Sequence, residues 1–201
     1  MKKYELLKDD TIEVAGKTLF RIKALISFKD IRKGEIGGYV EAERNLSQSG
    51  NAWVSDNAWV SGNACVTGNA WVCDDAWVSG NAWVTGNAWV SGNARVTGNA
   101  RVSDNAWVSG NACVTGNAWV CDDAWVSGNA WVETSNDYIV FKNNWSSFRW
   151  FTYTKSNKMW RVGCFYGTGD ELIKEAYADS EESGRKYELY VNLVKELYRD
   201  E

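Results

Sequence analysis

Histidine, the side chain most often used as a general base or metal ligand, is absent from this 201-residue chain. Among the remaining groups with nucleophilic or ligand chemistry, the cysteines and a set of clustered aspartates stand out. The five cysteines are Cys65, Cys73, Cys113, Cys121 and Cys164. No two of them form a Cys-X-X-Cys pair, which argues against a zinc site, and a Cys–His nucleophile is excluded. Free thiols are typical of a reducing compartment.

Aspartates gather in two clusters that are related by a spacing of 18 residues. The clusters are Asp56, Asp74 and Asp75, and Asp104, Asp122 and Asp123. If residues 18 apart lie next to each other, three carboxylates meet at one edge, where they could hold Ca²⁺ or raise one another's pKa. The alternative is ordinary aspartates at turn positions, where Asn and Asp are interchangeable. The second interpretation is the default, so we expect neither metal nor cofactor.

Charge and hydropathy exclude several broad classes of protein. Lys and Arg number 22 against 26 Asp and Glu, a net charge of −4, which argues against direct nucleic-acid binding through basic charge. No apolar run is long enough to span a membrane, and the first residues lack the apolar stretch of a signal peptide. These features favour a cytoplasmic protein that makes no membrane contact.

A six-residue repeat runs from Asn51 to Val132 and contains four of the five cysteines and all six clustered aspartates. It contains 14 units, with Ala second and Val fourth in every unit. The third position is Trp ten times, Arg twice and Cys twice. Alternation places Ala and Val on one side of a short strand and the third residue on the other. The Ser/Thr-Gly-Asn that follows is turn chemistry. Such short strands must stack on equivalents from other turns, which predicts a solenoid.

The unit Val-Ser-Gly-Asn-Ala-Trp resembles the hexapeptide repeat of left-handed parallel β-helices. That resemblance implies a left-handed coil of three units, or 18 residues, and about 4.7 coils for this array. The predicted fold class is mainly β: a narrow β-helix with a core of Ala and Val. We divide the chain into an N-terminal β cap (1–50), the β-helix (51–132) and an α+β C-terminal domain (133–201), with both ends covering the strand edges of the coils.

Residues 18 apart define three faces of outward side chains. The first face is Trp53, Trp71, Trp89, Trp107 and Trp125; the second is Trp59, Trp77, Arg95, Cys113 and Trp131; the third is Cys65, Trp83, Arg101 and Trp119. We predict a binding surface made of the first face with Arg95, Trp83, Arg101 and Trp119, because exposed aromatic stripes mark binding sites. Such a surface fits a protein partner or a second copy. The alternative is that Trp, a good β-former, only supports its neighbours.

Val54–Val84 is identical to Val102–Val132, at an offset of 48 residues. Because 48 is not a multiple of 18, the copy is rotated to a different face. This duplication favours a spacer or scaffold over a precise active site.

The two ends have different element patterns. The N-terminal segment predicts short strands at Tyr4–Leu7, Thr11–Val14 and Thr18–Leu25. The C-terminal segment predicts strands near 137–142, 147–154 and 158–165, a helix opened by a capping box from Thr168 to Glu171, and a second helix near 184–199. The apolar side of this second helix either packs on the small sheet or forms a subunit or partner interface. Its residues are Tyr187, Tyr190, Val191, Val194, Leu197 and Tyr198.

The lead-in to the repeats carries a second resemblance. Thr18-Leu19-Phe20-Arg21-Ile22, Gly37-Gly38-Tyr39-Val40-Glu41 and Asn45-Leu46-Ser47, followed by the first units, resemble a family of bacteriophage and prophage proteins over about residues 4–60. That family mostly carries no defined biochemical activity.

The resemblance implies a non-catalytic phage accessory protein in the bacterial host cytoplasm. Such a protein would bind a host macromolecule and inhibit a defence or regulatory system. The alternative is a self-assembling scaffold or virion-associated protein. A remote alternative is an acyltransferase, since many hexapeptide β-helices are acyltransferases, but that class typically relies on a histidine base.

Overall fold

The computed structural model describes residues 2–199. Met1, Asp200 and Glu201, which end the predicted N- and C-terminal segments, lie outside the described residues. The chain divides into two compact units, the first ending at Asp137 and the second beginning at Tyr138. Neither described helix is long and apolar enough to cross a bilayer.

Fourteen two-residue strands form the repeat region, one from the third and fourth positions of each unit. They are β4 (Trp53–Val54), β5 (Trp59–Val60), β6 (Cys65–Val66), β7 (Trp71–Val72), β8 (Trp77–Val78), β9 (Trp83–Val84), β10 (Trp89–Val90), β11 (Arg95–Val96), β12 (Arg101–Val102), β13 (Trp107–Val108), β14 (Cys113–Val114), β15 (Trp119–Val120), β16 (Trp125–Val126) and β17 (Trp131–Val132). Each strand pairs in parallel with the strand 18 residues away, as Trp89 does with Trp107. The predicted 18-residue coil is confirmed, and the region is a parallel β-solenoid of about five coils.

The core of the solenoid contains only small side chains. Every Ala and Val of the repeat is buried, with at most 1 % of its surface exposed. Each coil donates backbone hydrogen bonds to the next, for example from Trp89 N to Ala106 O (2.9 Å). On the surface, the asparagines at the first position of each unit also form hydrogen bonds from coil to coil. Asn63 Nδ2 donates to Asn81 Oδ1 (3.1 Å), and Asn81 Nδ2 donates to Asn99 Oδ1 (3.0 Å). Register is therefore fixed by every position of the unit.

The corners require a left-handed backbone. Gly92 has φ of 66°, and a Cβ there would come within 3.0 Å of Gly110 N in the next coil. Asp56, Asp74, Asp104 and Asp122 occupy the same corner position with φ of 58–60°. Aspartate tolerates this conformation better than most residues because its short side chain bonds to nearby backbone.

The N-terminal segment adds an antiparallel hairpin to one sheet of the solenoid. Its strands are β1 (Tyr4–Val14), β2 (Lys17–Ala24) and β3 (Ile36–Val40), followed by a 3-10 turn at Glu43–Asn45. The two short strands predicted before Val14 are one strand with a bulge between Leu7 and Thr11. β3 pairs antiparallel with β2 and parallel with β5, so this sheet runs from the hairpin into the coils without a break.

The C-terminal unit is an antiparallel sheet with two helices. Its elements are β18 (Tyr138–Lys142), β19 (Trp150–Thr154), β20 (Met159–Val162), β21 (Phe165–Gly167), α1 (Gly169–Asp179) and α2 (Glu181–Leu197). The fourth strand was not expected. The predicted capping box is confirmed: Glu171 N donates to Thr168 Oγ1 (3.3 Å), and Thr168 N donates to Glu171 Oε2 (2.8 Å). The core of the C-terminal unit is aromatic, with Phe151, Trp160 and Tyr187 buried together.

Candidate interaction surface: the tryptophan faces

The first face carries four stacked indoles. Ring centroids are 5.9 Å apart for Trp71 and Trp89, 5.6 Å for Trp89 and Trp107, and 4.6 Å for Trp107 and Trp125. The planes of the last pair differ by only 6°. The coil spacing produces this stacking because side chains at the third position project from strands in exact parallel register. Rings within the row therefore partly cover one another's faces, most closely for Trp107 and Trp125.

Hydrogen bonds orient these indoles. The indole N–H of Trp71 donates to Ser55 Oγ (3.1 Å), and that of Trp125 donates to Ser109 Oγ (3.3 Å). In both pairs the serine lies 16 residues earlier, at the corner of the preceding coil. Both rings therefore lean back along the solenoid axis, and these hydrogen bonds hold their orientation.

Trp53 does not belong to the exposed surface, which corrects the predicted first face. It is fully buried, whereas Trp89 exposes 39 % of its surface. The N-terminal segment covers it: Phe28 and Tyr4 pack edge-on against its ring, with centroids 5.5 and 6.5 Å away. A Cβ on Gly37 would lie 2.7 Å from the Trp53 ring, so only glycine allows this approach. The remaining row starts at Trp71, which is half-buried and has Lys29 Nζ 5.5 Å from its ring centroid.

The third face is an interrupted row. Arg101 separates Trp83 from Trp119, and its guanidinium lies 5.9 Å from the Trp83 ring centroid, as the sequence predicts for a cation–π contact. Trp83 and Trp119 expose 53 % and 48 % of their surfaces, more than Trp89. Replacing one ring by an arginine therefore leaves its neighbours more open to solvent.

On the second face, Trp59 and Trp77 stack with centroids 4.3 Å apart, and the Arg95 guanidinium lies 5.2 Å from the Trp77 ring. Within residues 2–199, neither Arg95 nor Arg101 has an ion-pair partner. Both guanidinium groups therefore keep their donors available toward solvent.

The acidic corners bring together two carboxylates and a thiol, not the three carboxylates of each predicted cluster. Ligand atoms of Asp56, Cys73 and Asp74 lie within 4.8 Å of one another, and Asp104, Cys121 and Asp122 repeat the arrangement. Asp75 belongs instead to an asparagine row, where it accepts from Asn57 Nδ2 (3.2 Å). Asp123 does the same with Asn105 (3.3 Å).

Hydrogen bonds already use these corner carboxylates. Asp74 Oδ2 accepts from Gly92 N (2.8 Å), which continues the coil-to-coil bonding through a side chain. Burial, with the nearby charges of Asp74 and Asp56, raises the pKa of the Cys73 thiol to about 12. Cys73 is therefore a neutral thiol at physiological pH. The geometry suits a structural corner.

The residues predicted for the apolar side of helix α2 fall into three groups: buried, partly buried and exposed. Tyr187, Val191 and Val194 are buried in the core of their own unit, so they cannot form a subunit interface. Tyr190 and Tyr198 are partly buried against the same core, and Leu197 is exposed. Sequence reasoning missed Leu189 and Leu193, which are also exposed. Their spacing of four residues from each other and from Leu197 could have revealed them.

The repeats are similar to a known repeat family. Residues 58–74, 76–92, 88–104, 94–110 and 106–122 match the family model described as the YdcK beta solenoid repeat. No curated protein matched this chain. The matched stretches lie within the coils that carry the three tryptophan faces, and they support a β-solenoid repeat for that part of the chain.

Proposed function

We propose that this chain is a non-catalytic interaction module whose tryptophan faces bind a protein partner. The proposal includes a left-handed solenoid of the hexapeptide type, which the six-residue period supports. It also includes a bacteriophage or prophage origin, which the resemblance of residues 4–60 supports. The partner is a host protein in the bacterial cytoplasm, and binding inhibits a host defence or regulatory system.

The observation that carries the proposal is the oriented row Trp71, Trp89, Trp107 and Trp125, in which Trp89 and Trp107 are exposed and the two end rings are half-buried. Aromatic residues held rigidly on a surface lose little entropy when a partner covers them, and they are the residues most enriched at binding hot spots. The hydrogen bonds from the indoles to corner serines supply that rigidity.

A protein fits this row better than a sugar or a nucleic acid. Both of those ligands are recognised by stacking on open ring faces, and rings inside the row partly cover each other's faces. Nucleic acid is further disfavoured by charge, because residues 51–132 contain six aspartates and only two arginines. A flat apolar row of indoles suits the side chains of a protein surface.

A capture experiment tests the proposal. The purified chain is immobilised and exposed to bacterial lysate beside a variant with Trp71→Ser, Trp89→Ser and Trp107→Ser. We expect a host protein that the wild type retains and the triple variant loses. Trp150→Ser, which removes an exposed indole from the C-terminal unit, is the matched control and should retain it.

Two results would count against the proposal. Equal capture by the wild type and the triple variant would remove the tryptophan row from the interaction. Turnover of acetyl-CoA by the purified chain would overturn its non-catalytic character.

The second candidate function is a self-assembling scaffold. The 31-residue duplication favours it, because a copy rotated to another face preserves a spacer but not a face-specific site. Light scattering separates the two functions: a closed trimer or long polymer supports the scaffold, and a small species with free tryptophan rows supports the partner-binding module.

A further inference from the structure

Helix α2 of the C-terminal unit presents a second apolar surface, which is independent of the proposed function. Leu189, Leu193 and Leu197 expose 68 %, 45 % and 58 % of their surfaces. They follow each other at intervals of four residues and so lie along one side of the helix. Val191 and Val194, on the other side, are buried in the unit's own core. The leucine row is therefore surplus to the folding of this unit.

A shallow groove lies beside this row. It has a volume of about 320 Å³ and is lined by Asn144, Trp145, Lys186, Leu189, Tyr190 and Leu193. The stem of Lys186 covers part of its floor, with Nζ 5.4 Å from the Trp145 ring centroid. Such a groove can receive a leucine side chain from a facing helix.

The charges around the leucines are self-complementary. In order along the helix, this side carries the half-exposed Lys186 and the exposed Leu189, Leu193 and Glu196, separated by three, four and three residues. Each charge already has a partner in its own chain, Lys186 in Glu182 (2.9 Å) and Glu196 in Arg199, so a second copy would join these pairs into a charge network. In the reverse direction along the helix, the order is acidic, leucine, leucine, basic, so the leucines keep their places and the end charges are exchanged. An antiparallel copy of the same helix therefore places Lys186 opposite Glu196 at both ends and Leu189 opposite Leu193 in the middle. A parallel copy would instead place like charges together.

We infer that α2 is a homodimerisation helix, which pairs antiparallel with α2 of a second copy about a two-fold axis midway between Leu189 and Leu193. In a two-fold contact, if one residue contacts a second residue of the other copy, that second residue must contact the first in the same way. This palindromic pattern meets that requirement. The leucines of one copy fill the groove beside Trp145 of the other.

The size of the helix sets the strength of the dimer. Seventeen residues of α-helix extend about 25 Å, and a single helix pair covers less than the roughly 800 Å² per partner of a standard stable interface. An interface of this size lies at the weak end of protein–protein contacts, so we expect a Kd in the micromolar range.

Sedimentation velocity on the full chain from about 5 to about 500 µM tests the inference. We expect the wild type to pass from monomer to dimer over that range. Leu193→Asp should remain monomeric throughout, since it places a carboxylate in the centre of the contact. The variant with Trp71, Trp89 and Trp107 changed to Ser should dimerise like the wild type, which distinguishes this contact from the tryptophan faces.

A charge exchange tests the antiparallel register. Lys186→Glu and Glu196→Lys alone should each weaken the dimer about three- to tenfold, because each creates two like-charged contacts. The double variant K186E/E196K should dimerise more tightly than either single variant, because the opposite charges face each other again across the contact. Lys174→Glu, an exposed position on α1, makes the same change in net charge as Lys186→Glu and should have no effect.

Three results would overturn the inference. A wild type that is still monomeric at about 500 µM removes the dimer. A double variant no tighter than the single variants removes the antiparallel register. A dimer abolished by the tryptophan variant, with circular dichroism showing both proteins folded, assigns the contact to the solenoid instead.

Discussion

Tryptophan occupies opposite environments in the two units of this protein. In the solenoid the core is alanine and valine, and rings such as Trp89 and Trp83 stand outside it. In the C-terminal unit a tryptophan forms part of the core: Trp160 is 2 % exposed and packs against Phe151 and Phe141, although Trp150 remains at the surface. The excess of tryptophan in this chain therefore has two physical causes. In one unit it fills a core, and in the other it covers a surface whose core is already complete.

The largest expected effect is the loss of a core ring from the C-terminal unit. Trp160→Ala should lower the unfolding free energy by about 3–5 kcal/mol, because it removes apolar contact and leaves a cavity. Urea denaturation followed by circular dichroism at the helical band measures it, since α1 and α2 are the α-helices of the described residues. A loss below about 1 kcal/mol would show that this core repacks and would weaken the contrast between the units.

Within the solenoid, the same repeat position should give two different results. Trp53→Ala should cost about 3 kcal/mol, since Trp53 is fully buried under the N-terminal segment. Trp89→Ala, the matched control, should cost about 1 kcal/mol or less, because its ring contacts only neighbouring rings and a corner. Thermal denaturation of the two variants measures the difference. Equal losses would mean that the exposed row is needed for folding.

This contrast also marks what the sequence could predict. Periodicity identified the inward Ala and Val, the parallel register of Trp89 with Trp107, and the number of coils, since these are local consequences of a six-residue unit. Periodicity could not identify Trp53 as buried, because its cover comes from Tyr4 and Phe28, which lie outside the repeat.

The prediction of the apolar side of helix α2 was partly wrong for a related reason. A helical period identifies apolar sides, but α2 has one side with Tyr187 and Val191 and another with Leu189 and Leu193. Only the position of the sheet decides which side is buried. The capping box at Thr168 was predictable because its hydrogen bonds span only three residues.

Thiol reactivity gives a third contrast between the units. Cys73 lies in a solenoid corner with its pKa raised to about 12, whereas Cys164 of the C-terminal unit is exposed. Only the thiolate attacks iodoacetamide, so at about pH 8 Cys73 should react about a hundredfold more slowly than Cys164. Mass spectrometry of the digested protein measures both sites. In denaturant the two rates should converge; similar rates in the native protein would contradict the buried, acidic corner.

The smallest expected effect is on stability, when one of two glutamates with different structural roles is replaced by glutamine. Glu41 Oε2 accepts from Lys17 Nζ (2.7 Å) and from Gly62 N (2.6 Å), so it ties β2 to a solenoid corner. These two bonds lower the pKa of Glu41. Glu41→Gln should cost about 1 kcal/mol at neutral pH, because a neutral amide accepts more weakly from Lys17. Glu171→Gln should leave stability close to wild type, since glutamine also completes a capping box.

The pH dependence separates the Glu41 contact from a packing effect. A lowered folded pKa means that the contribution of Glu41 is complete above its unfolded pKa of about 4.3 and is lost as the pH falls through the folded value. The difference between the wild type and Glu41→Gln should therefore be constant from about pH 6 to 8 and shrink below about pH 4. Urea denaturation at several pH values measures it. A difference that persists at the acidic end would assign the loss to altered packing at Gly62, and the N-terminal segment would then be attached to the coils by shape and not by charge.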